Sequence, residues 1–205
     1  MSIITISRQF GAGGKTLGEM VAEELGYSFV DDEILQRIAR RANVSTHGVE
    51  FVAKEAGGRL LKFMSGLISK SYIERILDDR RGYIDEEVYV DLLNQIICQI
   101  AEEGNAVILG RGGQYILRDF EKAFHILLIA HKADRITFME KRYNLSRSQA
   151  AQSVNREVKR RSNLYRNFGK EDYDHPDLYH LVLNMSKIDL EKAMHLILAL
   201  VRNRA

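Results

Sequence analysis

The sequence predicts a three-layer α/β fold built on a five-stranded parallel sheet. Short apolar runs alternate along the chain with stretches of helical periodicity. Two of these runs, Asn105 to Leu109 and Ala123 to Ile129, are almost continuously apolar, as strands covered on both faces must be. The first run, Ile3 to Ser7, leads into the glycine-rich turn Gly11-Ala12-Gly13-Gly14-Lys15-Thr16, and helix-forming residues follow.

After that turn, Leu17, Met20, Val21 and Leu25 keep helical spacing up to Gly26. Tyr27 to Val30 reads as a second strand, and Asp31-Asp32 caps a helix bearing Ile34, Leu35 and Ile38. From Asn43 to Gly104 the pattern is helical and offers no strand, which predicts a helical insertion between strands of the sheet. The third strand ends in Gly110-Arg111-Gly112-Gly113, with a short helix expected over Tyr115 to Leu117. After the fourth strand comes a helix with Ile136, Phe138 and Met139. Ser146 to Gln149 reads as a capping box opening a basic helix. Leu181 to Asn184 is the last strand, and Ser186 to Asp189 reads as a second box opening the closing helix.

One domain suffices for 205 residues. A net charge of +2 gives no bulk drive toward nucleic acid or membrane. The single cysteine, Cys98, rules out an intrachain disulfide and reads as a small buried apolar group within Ile96-Ile97-Cys98. No apolar stretch has membrane-spanning length and no signal-peptide pattern opens the chain, so a cytoplasmic protein is expected. The histidines, with His125 and His131 flanking an apolar strand, lack metal-ligand spacing.

Four segments carry candidate chemistry, and each also has a plainer reading. In the turn, backbone N–H groups of Gly11, Ala12, Gly13 and Gly14 suit phosphate, Lys15 suits the outer phosphates, and the Thr16 hydroxyl suits Mg²⁺. Gln9 stands where the general motif has its first glycine, and the plainer reading is a turn without a ligand. Asp31 and Asp32, with Arg37 in the next helix, can orient metal-bound water or an acceptor phosphate, or be capping acids and a solvated arginine. Arg111, flanked by glycines at a strand's carboxyl end, can grip a phosphate bidentately or be an exposed turn residue. Arg156, Lys159 and Arg160 share a helix face that, with Glu157 and Arg161, can close over phosphates, be a solvated face or bind RNA.

Across nearly its whole length the chain resembles the cytidylate kinase-like family, a branch of the P-loop nucleoside monophosphate kinases. The resemblance lies in Ile6 to Lys15, Asp31 to Leu35, Val107 to Gly112, and Tyr179 to Asn184 followed by Ser186. It implies a three-layer P-loop kinase fold with a core over 1–42, 105–145 and 178–205. It further implies an acceptor-binding helical insertion over 43–104 and a basic lid over 146–172. The implied activity is ATP-dependent phosphorylation of CMP or dCMP with Mg²⁺, and the implied partners are ATP and a small phosphorylated acceptor; a small-molecule kinase with a non-nucleotide acceptor and a regulatory protein that binds ATP without turnover are the alternatives. Asp31 and Arg37 keep the family's spacing for gripping the acceptor phosphate, although Asp32-Glu33 replace its Thr-Gly. Gly110 and Arg111 match its Gly-Arg-Asp, with Gly112 in place of the aspartate. Glu157 and Arg160 keep the spacing of its lid pair. Lys15, Arg160 and Arg161 are the expected catalytic cations. From Arg147 to Arg161 the apolar residues are few and small, so a weakly anchored, mobile cover is expected.

Overall fold

A computed structural model describes residues 2–31, 86–167, 169 and 173–203. Five strands form one sheet: β1 (Ile3–Arg8), β2 (Ser28–Val30), β3 (Ala106–Leu109), β4 (Ala123–Ile129) and β5 (Leu181–Asn184). Their order is β2-β3-β1-β4-β5, and every pairing is parallel. β1 sits at the centre, with Ile3 to Ile6 paired to Ala106 to Leu109 on one side and Ile3 to Arg8 paired to Ala123 to Leu128 on the other. The expected strands are thus present within a residue or so of their predicted ends. All-parallel strands bury both faces, so continuous apolar runs mark them well.

The pleat sends alternate side chains of β1 to opposite layers. Ile4 and Ile6 pack with Leu17 and Val21 of α1 (Gly14–Leu25), and with Ala193, Ile197 and Val201 of the closing helix (Leu190–Arg202). Ile3 packs with Leu93, Ile96, Ile97, Ile100 and Ala101 of α2 (Glu86–Glu103). That stripe follows helical i, i+3, i+4, i+7 spacing. The C-terminal part of the stretch assigned to the insertion is therefore a layer of the core. Cys98 lies one helical step off the stripe and is exposed, which corrects the expectation of a buried thiol.

β1 also carries Thr5 and Ser7, both buried, toward the α2 layer. The Thr5 hydroxyl meets His125 Nδ1 at 2.7 Å, and the His125 ring also bonds the Leu117 backbone. His125 lies inside β4 rather than flanking it, and its backbone N–H donates to His180 Nδ1 at 3.0 Å. The two rings are 5.4 Å apart. Burial, and next the His180 ring, push the His125 pKa down to about 4. The unfolded chain, with a pKa near ~6.5, binds more protons between these values. Stability is therefore complete above about pH 6.5 and falls as the pH drops toward 4, by roughly 2 kcal/mol at pH 5. Urea midpoints at pH 7 and pH 5 are expected to show this loss in the wild type and a smaller one in His125→Gln.

The closing helix corrects a second reading. Asp189, not Ser186, is its N-cap, accepting the Lys192 N–H at 2.8 Å. The Ser186 hydroxyl instead accepts the His131 N–H at 2.8 Å, tying the end of β4 to the end of β5. The box at Ser146 does form: Ser146 N–H donates to Gln149 Oε1 and Gln149 N–H to Ser146 Oγ, at 2.9 and 3.3 Å. No helix among the described residues is long and apolar enough to cross a membrane.

Candidate active site

β1 delivers the chain to the carboxyl edge of the sheet, where the turn at Gly11 to Gly14 opens α1. Gly11 and Gly13 have φ of +88° and +81°, a region open to glycine at little cost. A Cβ on Gly11 would lie 2.8 Å from the Arg135 carbonyl oxygen, so that position is closed to side chains on two counts. α1 has no side-chain cap and no acid in its first turn, which leaves its N-terminal N–H groups oriented for an anion. Gln9, the departure from the general motif, has a structural task. Its Oε1 accepts the Ala130 N–H at 3.0 Å and its own N–H donates to the Leu128 carbonyl at 2.9 Å, so the loop is fastened to β4.

The cavity over this loop is lined by Gly11, Gly13, Gly14, Lys15, Thr16, Asp31, Arg8, Phe10 and Arg160 among others, with an empty volume of about 880 Å³. Lys15 reaches the Asp31 carboxylate at 2.8 Å, so the strand-two acid and the loop lysine converge as one pair. Asp31 is largely buried and Lys15 half exposed, so the ammonium stands at the cavity wall. Thr16 and Asp31 bring hard oxygen donors to the same space, a donor set that suits Mg²⁺ held jointly with water and phosphate. Asp32 and Arg37 lie outside the described residues.

Beside it, a second cavity of about 510 Å³ is lined by Arg8, Phe10, Arg111, Glu157, Arg160, Arg161, Leu164 and Tyr165. Arg111 arrives from the turn after β3. Gly110, Arg111 and Gly112 have φ of +76°, +55° and +76°, three successive left-handed residues. Such a backbone costs a non-glycine residue roughly 1–2 kcal/mol, and conformations of this kind concentrate at functional sites. Burial, then the like charges of Arg160 and Arg8, push the Arg111 pKa down to about 10. An anion arriving here relieves that repulsion.

The remaining walls come from the basic helix, which spans Arg147–Asn167 and follows a helix over Lys132–Tyr143. Glu157, Arg160, Arg161 and Leu164 share the i, i+3, i+4, i+7 face that lines the cavity. Arg160 lies 3.7 Å from Glu157. Arg156 and Lys159, expected on the working face, line neither cavity and are exposed. Arg161 is placed at the cavity but held firmly: it forms a bidentate pair with Asp174 at 2.6 and 2.8 Å. Its guanidinium also lies 5.0 and 4.8 Å from the Tyr165 and Tyr173 ring centres.

This helix is better anchored than its sequence predicts. Ala150 and Val154 are fully buried against Ile136 and Met139. Small side chains let two helices approach closely, so their size is no measure of their anchoring. Tyr165 is also buried, and its hydroxyl accepts from Gln114 Nε2 at 3.2 Å while Gln114 Oε1 accepts from Ser7 at 2.9 Å. A polar chain thus runs from the end of β1 to the far end of the basic helix.

The cytidylate kinase-like family matches residues 3–187. The chain belongs to the cytidylate kinase-like family. No curated protein matches the chain. Among solved structures, the chain is similar to an uncharacterized protein from Eubacterium ventriosum ATCC 27560, with a TM-score of 0.68 at 19% identity over 98% of both chains. It is also similar to a shikimate kinase from Bacteroides thetaiotaomicron, with a TM-score of 0.52 at 14% identity over 98% of both chains. A gluconokinase from Sinorhizobium meliloti 1021 gives 0.51 at 13% identity over 100% of this chain and 93% of that one. At these identities the likeness is one of fold. Family and fold together support a P-loop kinase, a nucleotide-binding phosphotransferase.

Proposed function

We propose that the protein transfers the γ-phosphoryl group of ATP to the phosphate of a nucleoside monophosphate, CMP or dCMP. The observation that carries the reading is the junction of two cavities. The phosphate-loop cavity and the arginine-lined cavity share Arg8, Phe10, Glu157 and Arg160.

In this reading the loop N–H groups, Lys15 and Thr16 take the ATP phosphates. Thr16 and Asp31 are the residues that would hold Mg²⁺, which neutralises charge on the phosphates when bound. Arg111 receives the acceptor's phosphate. One of its oxygens attacks the γ-phosphorus as the bond to the ADP oxygen breaks. Arg160 faces both cavities and stabilises charge on the group in transit, and Arg161, fixed by Asp174, adds a constant positive field. Arg156, Glu157 and Lys159 belong to the covering helix, Glu157 as the residue that sets Arg160.

A second acceptor class is favoured by one feature: Gly112 stands where the family's nucleotide kinases have an aspartate. A small anionic acceptor other than a nucleotide fits that change. A coupled assay over the nucleoside monophosphates and carboxylate-bearing hydroxy acids decides between them. CMP or dCMP is expected to give the highest kcat/KM. A KM for CMP no better than for AMP, GMP or UMP rejects the cytidylate assignment and leaves the kinase. In the same assay Arg111→Lys is expected to raise the acceptor KM about tenfold or more with little effect on the ATP KM, because lysine has no planar fork.

A further inference from the structure

Arg8 is the last residue of β1, and none of the motifs above gives it a role. Its side chain is laid between two glycines. A Cβ on Gly14 would lie 2.8 Å from Arg8 Cγ, and one on Gly110 would collide with Arg8 Nη1. The two turns that open the phosphate loop and present Arg111 thus leave a passage for this one guanidinium. It emerges where both cavities meet, lining each of them.

The passage places a cation in a costly setting. Its side chain is partly buried, and this burial lowers the guanidinium pKa, with the Arg161 charge acting in the same direction. Glu157 and Asp31 act on it through space, yet among the described residues no hydrogen bond or ion pair closes on Arg8. Its neighbours differ: Arg161 is paired with Asp174 and Lys15 with Asp31. A desolvated charge without a hydrogen-bonded counterion is destabilising, and an apolar side chain of similar volume is commonly preferred. Among the described lining residues of its cavity, four arginines face one glutamate.

We propose that Arg8 is a substrate-binding residue whose guanidinium takes the phosphate monoester of the acceptor at the junction of the two cavities. The proposal rests on the phosphoryl-transfer reading for the word acceptor, but the anion site itself is testable without turnover. Arg8 supplies a planar fork from the rigid end of the central strand, beside Arg111, so two guanidinium groups converge on one phosphate. It faces the loop cavity as well, so the same group holds the acceptor oxygen in line with the donor.

The test uses inorganic probes on the full chain. Tripolyphosphate saturates the phosphate loop, and inorganic phosphate is then titrated by calorimetry. The wild type is expected to bind phosphate beside tripolyphosphate. Arg8→Met and Arg8→Lys are expected to keep tripolyphosphate affinity within a few-fold and to lose about tenfold or more in phosphate affinity. Retained tripolyphosphate binding shows that the variants fold. Without ligand, Arg8→Met is expected to melt at the wild-type temperature or about 2–4 °C above it, the direction a purely structural cation would reverse. A wild type that takes no phosphate beside tripolyphosphate, or variants that take it as the wild type does, overturns the proposal. Phosphate binding that depends on Arg8 in a protein that phosphorylates no nucleotide keeps the site and rejects only the kinase reading.

Discussion

Lys15→Ala is expected to fold normally and to lose phosphoryl transfer by about 10²-fold or more, the scale for removing one preorganised charge-stabilising group. The side chain is half exposed and packs into no core cluster, so its removal leaves the apolar layers intact. What it supplies is a positive charge at the mouth of the loop, held 2.8 Å from Asp31. An ammonium on a flexible stem can exchange that carboxylate for a polyphosphate without moving the backbone. The loss is expected mainly in kcat, because the γ-phosphoryl group needs the charge most as its bond to ADP breaks. Steady-state kinetics and a melting curve check both halves. A variant that turns over like the wild type places the donor site elsewhere.

The sheet was legible because its chemistry is local. Val107 to Leu109 and Ile126 to Ile129 are apolar without interruption, and only a strand buried on both faces uses such a run. Gly11 and Gly13 were legible for a similar reason, since the loop needs positive φ at those places. The cavity beside the loop was less so. Arg111 could be picked out by the glycines around it, but Arg8 reads in sequence as an ordinary strand end. Its role comes from Gly110, far along the chain, whose missing side chain admits the guanidinium.

The basic helix shows the same division. Its charge was plain, but which charges face inward depends on where the helix rests. With Ala150, Val154 and Tyr165 buried, Glu157, Arg160 and Arg161 line the cavity, and Arg156 and Lys159 do not. The Arg161–Asp174 pair joins residues on two separate elements and leaves no local pattern. Ser186 was read as a cap from its spacing to Asp189, yet Asp189 caps the helix itself and frees Ser186 to hold His131.

In the proposed reaction the loop cavity and the arginine-lined cavity hold donor and acceptor side by side, with Arg8 and Arg160 common to both. A bisubstrate analogue, adenosine and cytidine joined by a pentaphosphate chain, tests it most directly. Linking two ligands makes the second binding event intramolecular, which raises affinity by about 10²–10⁴-fold over either part when the geometry permits both contacts. The analogue bridges the phosphate loop to Arg111 and so requires both cavities at once. Isothermal titration is expected to show one molecule bound per chain, at least a hundredfold more tightly than ATP or CMP, and displaced by either in excess. Affinity no greater than that of ATP alone, unchanged in Arg111→Lys, would contradict the account.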